Sequence, residues 1–478
     1  MSSSGPTPLD VSGQEFAKLL DLTAAFLAAE LDSLAGRRVL EAGGPGAPSP
    51  ELRGPPPEQG RPIGRVLSLI DEAARAGINT ASGAFLAYIP AGGLASTAIA
   101  DLISNVLNRY TSIGAAAPGL VTLEEELLDW MCRLMDLPDG SAGLMTSGAS
   151  LATVSALAAA RDAHALTDLS RARLYVTDLT HHVVAKAARL VGFPRAAVHT
   201  LACDADRKLD VGALRAAIEA DRASGLTPFC VVATAGSTHT GGVDPLPEIA
   251  DLAGEARLWL HVDAAYGGFF QLTERGRAKL RGIGRADSIV LNPHKGLFLP
   301  HGTGCLLVRR EEDLLRAHRG DEGKYMRDRQ YGDAPDFCER GPELTRPFRG
   351  LRVWLPLQLH GVGAFRRALD AKLDLARAAF AALREIDGVE VQAPPDLSVV
   401  TFRIVAAGLD AGTATDACVR WINERGRVML STTSVDGETL GRLAILSHRT
   451  TAEHVAIAIE EIRGWLRISG SSHPHPPR

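Results

Sequence analysis

Between about Gly143 and Arg310 the chain alternates short apolar β-rich runs with segments of helical periodicity, the rhythm of a doubly wound α/β sheet. The runs are LYVTD, FCVVATA, LWLHVD, SIVLN and CLLVRR. Near-continuous apolar strands such as FCVVA imply burial on both faces, which a mostly parallel sheet covered by helices provides. Ligands of open α/β sheets sit beyond the carboxyl ends of the strands, so the residues just past each run are the ones to read for chemistry.

The flanking segments extend this frame. Val11 to Leu34 carries apolar residues at helical spacing, and a Gly/Pro-rich connection from Gly43 to Pro62 follows. A helix is expected over Leu123 to Leu134, with Thr122 and the acids Glu124 to Glu126 at its start. Beyond Arg352 a long helical stretch, Val353 to Leu383, leads to VVTFRIV, RVMLS and RLAILS interleaved with helices, a smaller α+β unit. The expected organisation is an N-terminal helical segment (1–85), a large α/β domain (86–370) and a small C-terminal α+β domain (371–478).

Length and charge narrow the function. A chain of 478 residues has ample core for two domains. With 51 basic against 56 acidic residues and a formal charge of -5, it has no electrostatic footprint for nucleic acid or an anionic membrane, so a small-molecule partner is expected. Six cysteines lie scattered without CxxC or Cys/His spacing, which argues against a disulfide framework or a structural metal site and for a reducing cytoplasm. No signal-peptide pattern or membrane-spanning apolar run is present, so a soluble protein is expected.

Five places past the apolar runs carry candidate chemistry. SIVLN ends at Asn292-Pro293-His294-Lys295 before a Gly-rich loop; Lys295 reads either as a solvated loop lysine or as an amine directed into the strand-end crevice, where partial burial makes it an imine former. LWLHVD ends at Asp263, either a cap or a carboxylate able to pair with a protonated pyridine nitrogen. In GLMTSGASLATVSALAAAR, Gly148, Ala149 and Ser150 form a small-residue turn into a helix. It is either an ordinary turn or a phosphate cradle of backbone amides and one hydroxyl. His181, after LYVTD, is a packing residue or a ring that stacks on a cofactor. His182 points the other way if the backbone there is extended and is read as structural. Thr234, ending FCVVAT, is the fifth residue at the rim.

Together these segments resemble the group II pyridoxal-phosphate-dependent amino-acid decarboxylases, with the aromatic-L-amino-acid branch nearest. The likeness runs in order through FLAYIPAGG, TLEEELLDW, TSGASLAT, THHVVAKA, HVDAAYGG, NPHK, RPFRGLRVW and RLAILSHRT. The resemblance implies fold type I, pyridoxal 5'-phosphate as cofactor, and a homodimer with its active sites at the interface. It implies that Lys295 holds the cofactor as a Schiff base, Asp263 pairs with the pyridine nitrogen, His181 stacks on the ring and Thr234 lies beside it. His294 would flank the lysine; Ala149 and Ser150, with Gly148 and Asn292, would hold the phosphate, and Tyr88, Ile89 and Pro90 would line the substrate pocket. A loop tyrosine near the substrate α-carbon is expected in DEGKYMRDRQYGDAPDF, with Tyr325 as the candidate and Tyr331 as its competitor. Arg346 matches a basic position that supports that loop or the site.

Two segments depart from the aromatic branch. NRYTSIGAAAPG offers small and polar residues where the aromatic-specific enzymes carry bulky ones, and the loop after the lysine, FLPHGTGC, is Gly-rich and carries His301. The reading is therefore decarboxylation of an L-amino acid to an amine and carbon dioxide, with the side chain left open. Three alternatives stand beside it. They are another pyridoxal-phosphate reaction (an oxidative aldehyde synthase, an aminotransferase or a lyase), a non-catalytic cofactor-binding protein, and a nucleotide-binding oxidoreductase, for which TSGAS lacks the GxGxxG pattern.

Overall fold

The structure, a computed structural model, describes residues 9–40, 49–320, 336–405 and 409–471. Seven strands make the central sheet: β1 (Ala142–Thr146), β2 (Ala172–Thr177), β3 (Val198–Leu201), β4 (Thr227–Thr234), β5 (Trp259–Asp263), β6 (Ser288–Leu291) and β7 (Gly304–Val308). Their spatial order is β1-β7-β6-β5-β4-β2-β3. Strands β3, β2, β4, β5 and β6 run parallel, whereas β7 is antiparallel to both β6 and β1. Successive residues of β4 feed different cores: Val231 and Ala233 pack on one face, Cys230 and Val232 on the other.

The five apolar runs are β2, β4, β5, β6 and β7. Two strands carried no such signal. β3 is a short, partly exposed edge strand, and β1 contains Gly143. A Cβ on Gly143 would meet Leu128 Cδ2 at 2.8 Å and Leu307 Cδ2 at 2.9 Å, so close packing against neighbours, not β propensity, defines that strand.

A second sheet holds β8 (Val389–Val391), β9 (Val399–Ile404), β10 (Ser431–Val435) and β11 (Glu438–Ala444) in the order β10-β11-β9-β8, antiparallel throughout. Its core is shared with the helices Val362–Arg384, Ala411–Arg425 and Ala452–Ser471. Residues 84–87 join this core: Met429 N donates to Ala84 O, and Leu86 N donates to Met429 O.

The helices correct the sequence reading in two places. The stretch expected as one helix over 353–383 is two, Gly350–His360 and Val362–Arg384, broken at Gly361, whose φ of 71° suits glycine. The helix expected to start near Thr122 begins at Pro118 and runs to Leu134, with the proline in its first turn. Glu124 is therefore mid-helix and fully buried. It pairs with Arg346 Nη1 at 2.6 Å, the two side chains being 0% and 1% exposed, and it accepts from Gly350 N at 3.3 Å. The Arg346 guanidinium also lies over the Phe337 ring, 4.3 Å from its centroid. Next door, Glu125 takes a bidentate pair from Arg340, which also bonds Glu311. These acids answer to tertiary partners, not to the helix dipole. Among the described residues no helix is long and apolar enough to cross a membrane.

Removing one partner of a buried ion pair leaves an uncompensated charge, which costs about 3–5 kcal/mol. Glu124→Ala is therefore expected to lower the unfolding free energy measured by chemical denaturation by that amount, whereas Glu126→Ala, elsewhere on the same helix, should change it far less.

Candidate active site

The parallel strands end on one rim, and the predicted residues gather there. A cavity of about 230 Å³ is lined by Gly148, Ala149, Ser150, His181, Thr234, Asp263, Asn292, His294 and Lys295, and further by Val183, Gly236, Thr238, Ala265 and Tyr266. Cross-strand pairing sets Thr234 directly beside Asp263. The Thr234 N–H donates to Asp244 at 2.7 Å, and its Oγ1 is buried with no hydrogen-bond partner. Asp244 also accepts from Leu209 N, and burial raises its pKa to about 6. The Asp263 carboxylate is buried and accepts from Ala265 N at 3.1 Å.

Lys295 lies in the single helical turn Pro293–Gly296 just past β6. Burial lowers its pKa from the ordinary lysine value, a fall only partly offset by Asp263, so the amine is less basic than that of a solvated lysine. His294 donates from Nδ1 to Thr303 O at 2.7 Å, and desolvation takes its pKa down to about 4. His181 accepts at Nδ1 from Val183 N at 3.2 Å, and burial lowers its pKa as well.

The turn before the helix Ala149–Ala163 is held by Asn292, whose Oδ1 accepts from Ala149 N at 2.9 Å. Asn292 keeps its amide nitrogen as a remaining donor, and Ser150 contributes an exposed hydroxyl and a helix N-terminal position. A Cβ on Gly304 would lie 2.4 Å from Gly148 Cα, so the close approach of β7 to this turn requires glycine.

Not every expected residue lines the cavity. Ile89 and Pro90 are buried elsewhere. Tyr88 is 61% exposed with φ of 52°, and its carbonyl accepts from Arg442 at 2.8 Å. Tyr88 borders a separate groove with Leu40, Met429 and Ser431. Tyr325 and Tyr331 lie outside the described residues. His182 corrects the expectation of opposed side chains: its backbone is helical (φ -55°, ψ -17°), and its ring stacks on His181 with centroids 4.4 Å apart. Sequence reasoning missed Gly236, Thr238 and Tyr266. Each sits within a few residues of a strand end already singled out, and that proximity was the available signal. Tyr266 OH bonds the Ser398 hydroxyl at 2.8 Å and accepts from Ser398 N at 2.8 Å, a contact with the second unit that no local motif announces.

Comparison with known proteins agrees with this fold. The pyridoxal-dependent decarboxylase conserved domain matches residues 56–405. The chain belongs to the pyridoxal-dependent decarboxylases. It is 36% identical to an aromatic-L-amino-acid decarboxylase of Bacillus atrophaeus over 82% of each chain. It is 33% identical to an L-2,4-diaminobutyrate decarboxylase of Rhizobium meliloti (strain 1021), covering 79% of this chain and 76% of that one. Among solved structures, Oryza sativa TDC with PLP and tryptamine superposes with a TM-score of 0.91 at 28% identity, covering 97% of this chain and 99% of that chain. The fold is type I, and the protein is a pyridoxal-phosphate-dependent amino-acid decarboxylase.

The cavity fits that cofactor. An aldehyde finds an amine of lowered basicity, a pyridine nitrogen finds one buried carboxylate, and a phosphate finds a small-residue helix start. The unpartnered Thr234 Oγ1 is a hydrogen-bonding group left for a ligand. Gly304→Ala would push β7 into the Gly148 turn, an overpacking of about 1–3 kcal/mol. Titration of apo-protein followed by absorbance should then show cofactor affinity weakened roughly 5- to 150-fold.

Proposed function

We propose that this pyridoxal-phosphate-dependent decarboxylase converts an aromatic L-amino acid to its amine, with Lys295, Asp263 and His181 as its catalytic residues. The observation that carries the assignment of residues is the convergence, on one cavity, of a buried amine, a single buried carboxylate at a strand end, and a half-buried imidazole. The similarity to the aromatic-L-amino-acid decarboxylase and to the tryptamine-bound structure supports the substrate class.

Lys295 would hold the cofactor through Nζ, Asp263 would keep its pyridine nitrogen protonated, and His181 would lie against the ring. The backbone of Gly148, Ala149 and Ser150, with Asn292, would hold the phosphate, while Thr234 and His294 would border the cofactor. Bound there, pyridoxal phosphate supplies a sink for the electron pair released when carbon dioxide leaves the substrate α-carbon. Asp263 is the group that sustains this role, since its carboxylate stabilises positive charge in a place from which water is largely excluded. Tyr325, with Tyr331 as the competitor, would return a proton to the α-carbon, and the exposed Tyr88 would meet the substrate where two copies adjoin.

A homodimer with its active sites at the interface is part of the proposal. The helix Ser96–Leu107 exposes Ile99, Leu102, Ile103, Val106 and Leu107, an apolar face that a second copy would cover. A cytoplasmic setting is proposed as well: the six cysteines are scattered along the chain without CxxC or Cys/His spacing, which suits a reducing compartment.

The test is a panel of L-amino acids given to the holoenzyme, with carbon dioxide, amine, ammonia and hydrogen peroxide measured together. Carbon dioxide and amine in equal amounts from aromatic substrates are expected. Stoichiometric ammonia and peroxide would replace the reading with an oxidative one, and turnover confined to diaminobutyrate would replace the substrate class. Lys295→Ala is expected to abolish turnover and the cofactor adduct trapped by borohydride.

A further inference from the structure

His181 and His182 are consecutive residues at the turn between β2 and the helix Val183–Leu190. Their rings stack at 4.4 Å with 28° between the planes. His181 lines the cavity and is half-buried; His182 does not line it and is exposed. One imidazole therefore stands between the cofactor cavity and a second imidazole that faces solvent.

The hydrogen bonds fix which nitrogen of His181 carries the proton. Val183 N–H points at Nδ1, so Nδ1 presents its lone pair, and the ring proton is on Nε2. An imidazolium would set an N–H against the Val183 N–H, so charging His181 requires breaking that bond. His294 has the opposite arrangement: its Nδ1 faces the Thr303 carbonyl, hence carries the proton, and leaves the lone pair on Nε2. In their neutral forms the two cavity histidines are tautomers of opposite sense.

We propose that His182 is a positioning residue, whose ring stacks on His181 and holds it as the neutral, Nε2-protonated imidazole at the cofactor cavity. This rests on the cofactor site proposed above and adds to it a residue that does not touch the cavity. The groups that face His181 are Asp263 from the end of β5, Lys295 from the turn after β6, His239 from the loop after β4, and His182 itself. Burial is the strongest influence against a charged His181; Asp263 acts in the other direction, and the three basic groups add to burial.

The experiment uses holoenzyme labelled with 15N-histidine, with the His181 signals assigned by their loss in His181→Gln. It compares wild type, His182→Phe, which keeps an aromatic ring, and His182→Ser, which removes it. Wild-type His181 should show a bare Nδ1 and a protonated Nε2. His182→Ser should show mixed tautomers and bind cofactor ~2- to 12-fold more weakly, the worth of one aromatic stacking contact. His182→Phe should restore the single tautomer and most of the affinity. A wild-type His181 protonated on Nδ1, or a His182→Ser protein with unchanged tautomer and affinity, overturns the proposal. Borohydride trapping of cofactor on wild type but not on Lys295→Ala separates these outcomes from a failure of the cofactor site itself.

Discussion

The parallel pairing of β4 with β5, which sets Thr234 beside Asp263, is the constraint from which the geometry of the site follows. A hydrogen-bonded ladder fixes where each strand ends to within a fraction of a residue, so the first side chain past each end is placed by backbone and not by its own rotamer. Two side chains then tie neighbouring ends together. Asp244 receives the Thr234 N–H and the Leu209 N–H, and Asn292 receives the Ala149 N–H across from the end of β6. The rim is thus rigid before any ligand arrives, which is what a site working through orientation and electrostatics needs.

Burial gives that rim its chemistry. Lys295, His181 and His294 all have their basicity lowered chiefly by desolvation, so the cavity gathers an amine and two imidazoles of reduced basicity around one carboxylate, Asp263. Such a site is poised for an aldehyde and for an aromatic nitrogen base, and it would be a poor host for a strongly solvated cation. The hydrogen bonds that Nδ1 makes at His181 and His294 decide their tautomers.

The small sheet is part of this construction and not an appendage. Ser398, just before β9, makes two bonds to the Tyr266 hydroxyl at the cavity wall, and Leu397 packs where a Cβ on Gly267 would come within 2.6 Å of it. Gly267 also lies so near the Ala235 carbonyl that any side chain there would collide with it. The loops after β4 and β5 are therefore clamped between their own sheet and the neighbouring unit, and Arg442 of β11 reaches back to the Tyr88 carbonyl.

The sequence by itself determined the α/β class, five of the seven large-sheet strands, the presence of a small α+β unit near the C-terminus, and the residues beyond the strand ends. Those features are local: apolar runs long enough to be buried on both faces, and reactive residue types where each run stops. It did not reveal β1 or β3, whose short or glycine-containing segments are strands only because neighbours pack on them. Nor did it reveal that β7 runs antiparallel, since an apolar run reads the same in either direction. Only the tertiary structure decided that Glu124 is a buried partner of Arg346 and not a helix-start acid, that Tyr266 answers to Ser398, and that His182 stacks on His181. Each of these depends on a partner distant in the chain or on a backbone turn, and the pattern of residues along a sequence carries no record of what a side chain will meet once the sheet has closed around it.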